Sequence, residues 1–184
     1  DGICFNSEGM YQYEYNQIDL LYEFMNSKKI FIWADELRAS CQCKECHNAN
    51  HGKLFGNFID SVNTYIHKID SSIKIFMWGD MVNPYHNGIS DYYGGNYTNT
   101  WQYIPKDVIL VPWGDKLKRK GIDFLSRKGF KILGACYYDS ENLNNTKEWY
   151  NYLYSKKNAV GIIYTSWHKN FELLDEFGKM TSKK

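Results

Sequence analysis

Lys29-Ile30-Phe31-Ile32-Trp33-Ala34-Asp35-Glu36 is a short, almost unbroken apolar run that ends in two adjacent carboxylates. It lacks the in–out alternation of a strand with one wet face, so it reads as a strand buried on both sides, as in a parallel sheet. Runs of the same kind recur at Gly2–Asn6, Ile73–Trp78, Val108–Trp113, Phe130–Tyr137 and Val160–Ser166. Amphipathic stretches separate them. Asn16–Ser27 gathers Ile18, Leu21, Tyr22 and Met25 on one helical face, and Leu54–Ile69 gathers Phe58, Val62, Tyr65 and Ile69. Lys116–Lys128, Thr146–Ser155 and Phe171–Met180 fit further helices, with Gly129 placed as a helix stop. Strand and helix in alternation predict an α/β fold with a parallel sheet and right-handed crossovers.

Two architectures satisfy that order. An open doubly wound sheet is one, but no glycine-rich nucleotide loop accompanies it. The other is a (β/α)8 TIM barrel, which typically takes ~250 residues. At 184 residues the chain then supplies a single partial barrel domain, residues 1–184, of about six β/α units with the first two missing. The placement of unusual residues favours the barrel. Asp35-Glu36, Trp78 with Asp80, Trp113, Tyr137 with Asp139, and Trp167 all follow the carboxyl ends of successive runs, which in a barrel converge on one mouth.

Composition narrows the function classes. A net charge of +1 gives no electrostatic case for nucleic acid, and no stretch reaches the ~20 apolar residues of a membrane span. Aromatic residues make up 17% of the chain, with 16 Tyr and 6 Trp, and flat rings are what proteins use to hold sugars. A genome biased toward Tyr, Asn and Lys codons gives the same excess. No leader is visible, and secreted and cytoplasmic settings both stay open.

The strand-end residues resemble those of glycoside hydrolase family 20, the β-N-acetylhexosaminidases. That family has an Asp-Glu pair after strand four, matching Asp35-Glu36, and tryptophans at strands five and six, matching Trp78 and Trp113. It has Tyr-x-Asp after strand seven, matching Tyr137-Tyr138-Asp139, and a Trp closing strand eight, matching Trp167. Phe31-Ile32-Trp33-Ala34 departs from the family's His-x-Gly-Gly, and Lys169 stands where a Glu is usual. The resemblance implies a glycosidase that removes terminal N-acetylglucosamine or N-acetylgalactosamine by substrate-assisted retaining catalysis. Glu36 is then the general acid, a role that favours a raised pKa. Asp35 and Tyr137 hold the acetamido group, Trp78, Trp113 and Trp167 wall the pocket, and Asp139 binds sugar hydroxyls. The first two barrel units come from the same chain or another. Two alternatives stand beside this: an inactive glycan-binding barrel, and a retaining glycosidase built on Glu8 and another carboxylate. No cofactor is implied.

Cys41-x-Cys43-x-x-Cys46, with His51 beyond, has ligand types and spacing suited to a structural zinc. A local disulfide or packed free thiols fit the same residues, while Cys4 and Cys136 read as core.

Overall fold

Five of the apolar runs pair as strands, each hydrogen-bonded to one or two parallel neighbours. The computed structural model describes residues 3–114 and 116–182. In chain order it contains α1 (Glu8–Met25), β1 (Lys29–Ile32), α2 (His51–Ile69), β2 (Lys74–Trp78), β3 (Ile109–Val111), α3 (Arg119–Arg127), β4 (Ile132–Ala135), α4 (Asn144–Tyr154), β5 (Ala159–Ile163) and α5 (Leu174–Thr181). Two 3-10 turns, Asp80–Val82 and Thr100–Gln102, punctuate the β2–β3 connection. The result is an α/β fold with a five-stranded, all-parallel sheet in the order β1-β2-β3-β4-β5.

Each strand pairs with the next in sequence and the order never reverses, so right-handed crossovers all fall on one face. On that face Ile30, Ile32, Ile75 and Met77 are buried, and α2 presents Phe55, Phe58, Ile59, Val62 and Ile66 to the core. The opposite face follows from the two-residue period of a strand. Lys29, Phe31, Lys74, Phe76 and Leu133 line an open hollow of about 890 Å³ there, and Phe31 is 40% exposed.

The first expected strand is absent. Gly2 lies outside the described residues, and Ile3–Asn6 runs as loop and turn into α1. Its apolar character has another cause: Phe5 is buried against Phe55 and Phe58, with ring centroids 5.4 Å apart in both pairs. Helix starts also differ. α1 begins eight residues before the periodic stretch that predicts it, and α2 begins three earlier, where Asn50 accepts a hydrogen bond from the Lys53 N–H as N-cap. Gly129 ends α3 as expected, with φ +86°. Among the described residues no helix is long and apolar enough to cross a membrane.

Candidate active site

The carboxylate pair owes its placement to a turn. β1 ends at Ile32, after which Ala34 and Glu36 both take positive φ, 92° and 43°. For a residue with a Cβ this costs roughly 1–2 kcal/mol, so something must hold the turn. Asp80, just beyond β2 and fully buried, accepts the Glu36 N–H on Oδ2 at 2.9 Å and the Asn87 side-chain N–H on the same oxygen at 2.8 Å. Its Oδ1 and the Trp113 Nε1 make no hydrogen bond of good geometry, though the indole N–H lies close enough to favour the ionised carboxylate. Burial pushes the Asp80 pKa up, and the donors from Glu36, Asn87 and Trp113 oppose that shift. Because the chain turns, Asp35 and Glu36 face one cleft although adjacent residues of a straight strand point apart.

That cleft has a volume of about 520 Å³ and sits at the carboxyl ends of the strands. Trp78, Trp113 and Trp167 form its apolar wall as a nearly equilateral triangle. Their ring centroids are 6.4 Å (Trp78–Trp113), 6.4 Å (Trp78–Trp167) and 6.3 Å (Trp113–Trp167) apart. A point equidistant from all three lies about 3.7 Å from each, the van der Waals reach of a carbon atom. Tyr138 packs against Trp167, tilted by 34° at 4.4 Å, and Thr165 and Ser166 add hydroxyls to the rim. Burial, then the charge of Glu36, raises the Asp35 pKa despite Arg38 nearby. Arg38 itself pairs with Glu36 Oε2 at 2.7 Å and lies over the Tyr93 ring. The residue expected as the general acid is therefore engaged by a guanidinium. His86 packs against Trp113 at 4.8 Å, and burial together with the Lys118 charge brings its pKa down to about 4.

Not every expected residue arrives. Tyr137 is fully buried and stacks on Tyr164 at 4.1 Å. Its hydroxyl donates to the Ser140 carbonyl at 2.9 Å, and it does not line the cleft. Tyr138, in the loop beyond β4, lines the cleft in its place. Asp139 is spent on the loop after β5. It accepts from Ser166 Oγ at 2.6 Å and from the Trp167 and His168 N–H groups at 2.6 and 3.1 Å. Burial pushes its pKa up, but these three donors together outweigh it and hold the carboxyl below its usual value. It positions Trp167 rather than facing the cleft. Glu8 lies exposed in the first turn of α1 and does not line the cleft.

The cysteine set also changes. Cys43 and Cys46 converge with Cys4, which the sequence assigns to the core, and Cys41 lies buried beside Cys46 with its thiol pushed up to about 11, mainly by burial. His51 is no ligand. Its Nδ1 accepts the Asn96 N–H at 2.9 Å and its Nε2 meets the Cys46 carbonyl at 3.1 Å.

Arg38 and Tyr138 line the cleft and Asp80 holds its carboxylate turn, though none of the three is an expected catalytic or binding residue. Asp80 alone carries a signal, its place two residues after Trp78 at a strand end. Arg38 and Tyr138 carry none, because their orientation depends on turns rather than on periodicity. No protein-family model matches the chain, and no curated protein matches it either.

Proposed function

We propose that the chain is the C-terminal part of a (β/α)8 barrel whose cleft removes terminal N-acetylhexosamine from glycans by substrate-assisted retaining hydrolysis. Three features support the barrel: a strand order that never reverses, helices on one face only, and an apolar concave face left wet along Phe31, Phe76 and Leu133. If β1 is the fourth barrel strand, as the Asp-Glu resemblance implies, β1–β5 are strands four to eight. Three strands, rather than the two of the six-strand count, then close the ring, from the same polypeptide or another.

The observation that carries the activity is the union of the tryptophan triangle with Asp35 and Glu36 in one cleft. An apolar wall of three indoles suits the methyl end of an acetamido group. With that methyl seated, the acetamido carbonyl oxygen attacks the anomeric carbon as the glycosidic bond breaks. Glu36 gives its proton to the departing oxygen, then takes one from the water that opens the oxazolinium ring. A well-aligned internal nucleophile has an effective molarity of roughly 10⁵ M or more, so no enzyme nucleophile is required. Asp35 accepts the acetamido N–H and balances the developing positive charge. Tyr138 takes the hydroxyl role first assigned to Tyr137. Substrate must displace Arg38 from Glu36 before the proton moves.

The Glu36–Arg38 pair also favours the second reading, a barrel that binds glycans without cleaving them. A thiazoline mimic of the cyclised intermediate separates the two. Calorimetry on the full-length protein should find it bound at least tenfold more tightly than N-acetylglucosamine, since transition-state-like ligands gain ~10²-fold or more. Equal binding refutes substrate assistance and leaves the binding module.

A further inference from the structure

We propose that Cys4, Cys43 and Cys46 bind a zinc ion, with Cys41 as the fourth thiolate, and that this ion braces the loop carrying the carboxylate pair from behind. The Cys4 sulfur lies 3.4 Å from that of Cys43 and 3.5 Å from that of Cys46, and all three fall within 4.8 Å of one another. Tetrahedral zinc with Zn–S bonds of ~2.3 Å sets its sulfurs about 3.8 Å apart, close to those two Cys4 separations, whereas Cys41 stands outside this group and must move in to complete the set. The five cysteines are free thiols, so no disulfide competes for these sulfurs.

Local backbone builds the cluster. Cys43-x-x-Cys46 winds through a tight turn in which the Cys46 and His47 N–H groups both donate to the Cys43 carbonyl, at 3.1 and 2.9 Å. The Cys41 N–H donates to the Ile3 carbonyl at 2.9 Å, which brings the N-terminal segment and Cys4 across 39 residues to meet Cys43. Cys41 sits at the inner edge, its thiol against Cys46. His51 fixes the Cys46 backbone through its Nε2 and so acts behind the ligand rather than as one. An all-thiolate set selects soft metals, and sulfurs this close leave no room for an iron–sulfur cluster. Binding releases the thiol protons and ties residue 4 to residues 43 and 46. Ser40, between the carboxylate pair and the cluster, is held by the buried Tyr97 hydroxyl, so the clamp reaches Glu36 and Arg38 through a packed loop.

The test is metal analysis of the full chain prepared with zinc and without chelator. About one equivalent of zinc is expected, released when a mercurial titrates the thiols of the wild-type protein. Cys4→Ser and Cys43→Ser should each lower zinc content at least tenfold, and Cys41→Ser should weaken retention against a chelator. Cys136→Ser, whose thiol lies by the Ile163 carbonyl far along the sheet, should keep it. Cobalt substitution should give a sulfur-to-metal charge-transfer band in the wild type that is lost in Cys4→Ser. The proposal is overturned if the wild-type protein carries no zinc, or carries copper instead. An intact mass two hydrogens light through a Cys4 disulfide, or equal zinc loss in Cys136→Ser, overturns it as well. The mercurial titration needs no variant, so a Cys4→Ser chain that fails to fold leaves the answer available.

Discussion

Replacing Asp80 with Ala should destabilise the protein more than a typical buried substitution, because two donors depend on it. The Glu36 N–H and the Asn87 amide both end on Asp80 Oδ2 inside the core. Each stranded buried donor costs about 1–3 kcal/mol, which gives about 2–6 kcal/mol for the pair. Part of this is returned, since the buried carboxylate already works against burial, as its raised pKa records. The expected loss is therefore about 2–4 kcal/mol. Asp80→Asn keeps one acceptor and should lose about half as much. Urea unfolding followed by tryptophan fluorescence reads the difference directly. With a slope of ~1–3 kcal/mol per molar urea, the Asp80→Ala midpoint should fall by about 1 M or more. The same variant releases Glu36 from its left-handed turn, so kcat should fall more than KM rises. An Asp80→Ala protein within about 0.5 kcal/mol of wild type would mean that the turn holds itself and that Asp80 does not position the acid.

Other outcomes follow from single residues. The His86 pKa is about 4 in the fold against 6.5 unfolded, so the unfolded chain takes up the proton first. Its stability contribution is complete above pH 6.5 and is lost as pH falls through 4, by about 2 kcal/mol already at pH 5. Subtracting the pH–stability profile of His86→Gln from that of wild type should recover this slope, and parallel profiles contradict it. Tyr138→Phe should slow hydrolysis of N-acetyl substrates, whereas Tyr137→Phe should cost only the ~0.5–1.5 kcal/mol of its bond to the Ser140 carbonyl; kinetics and melts on both variants separate the roles. Residues 1–184 in isolation should associate or melt without cooperativity, because β1 and β5 leave free edges and Phe31, Phe76 and Leu133 stay wet. A monodisperse monomer with a sharp melt in size-exclusion and calorimetric experiments would contradict the partial barrel.

What the sequence made legible was periodic. Ile75 and Met77 on one face and Phe76 and Trp78 on the other follow from a two-residue period, and Phe55, Phe58, Ile59, Val62 and Ile66 from a helical one. The strand-end residues Asp35, Glu36, Trp78, Trp113 and Trp167 meet in one cleft for the same reason, since parallel strands end on one side. The failures were aperiodic. Ile3–Asn6 looked like a strand because Phe5 is buried, yet it is buried against α2 and not in the sheet. Tyr137 and Tyr138 exchange places in the loop beyond β4, which a pairwise motif match does not resolve. Arg38 reaches Glu36 across a turn in which Glu36 sits at φ 43°. Cys4 joins Cys43 across 39 residues, a distance that no local spacing rule spans.

The most direct test of the proposed activity is the rate of release of a chromogenic leaving group from a β-N-acetylglucosaminide by the full-length protein, wild type against Glu36→Gln. Wild type should turn over the N-acetyl substrate and leave the corresponding 2-hydroxy glucoside essentially untouched. Glu36→Gln should lower kcat by ~10²–10⁴-fold while still binding the sugar, since the amide keeps the shape but has no proton to give. Equal rates for the two enzymes, or equal rates on the two substrates, would contradict Glu36 as the acid and the acetamido group as the nucleophile.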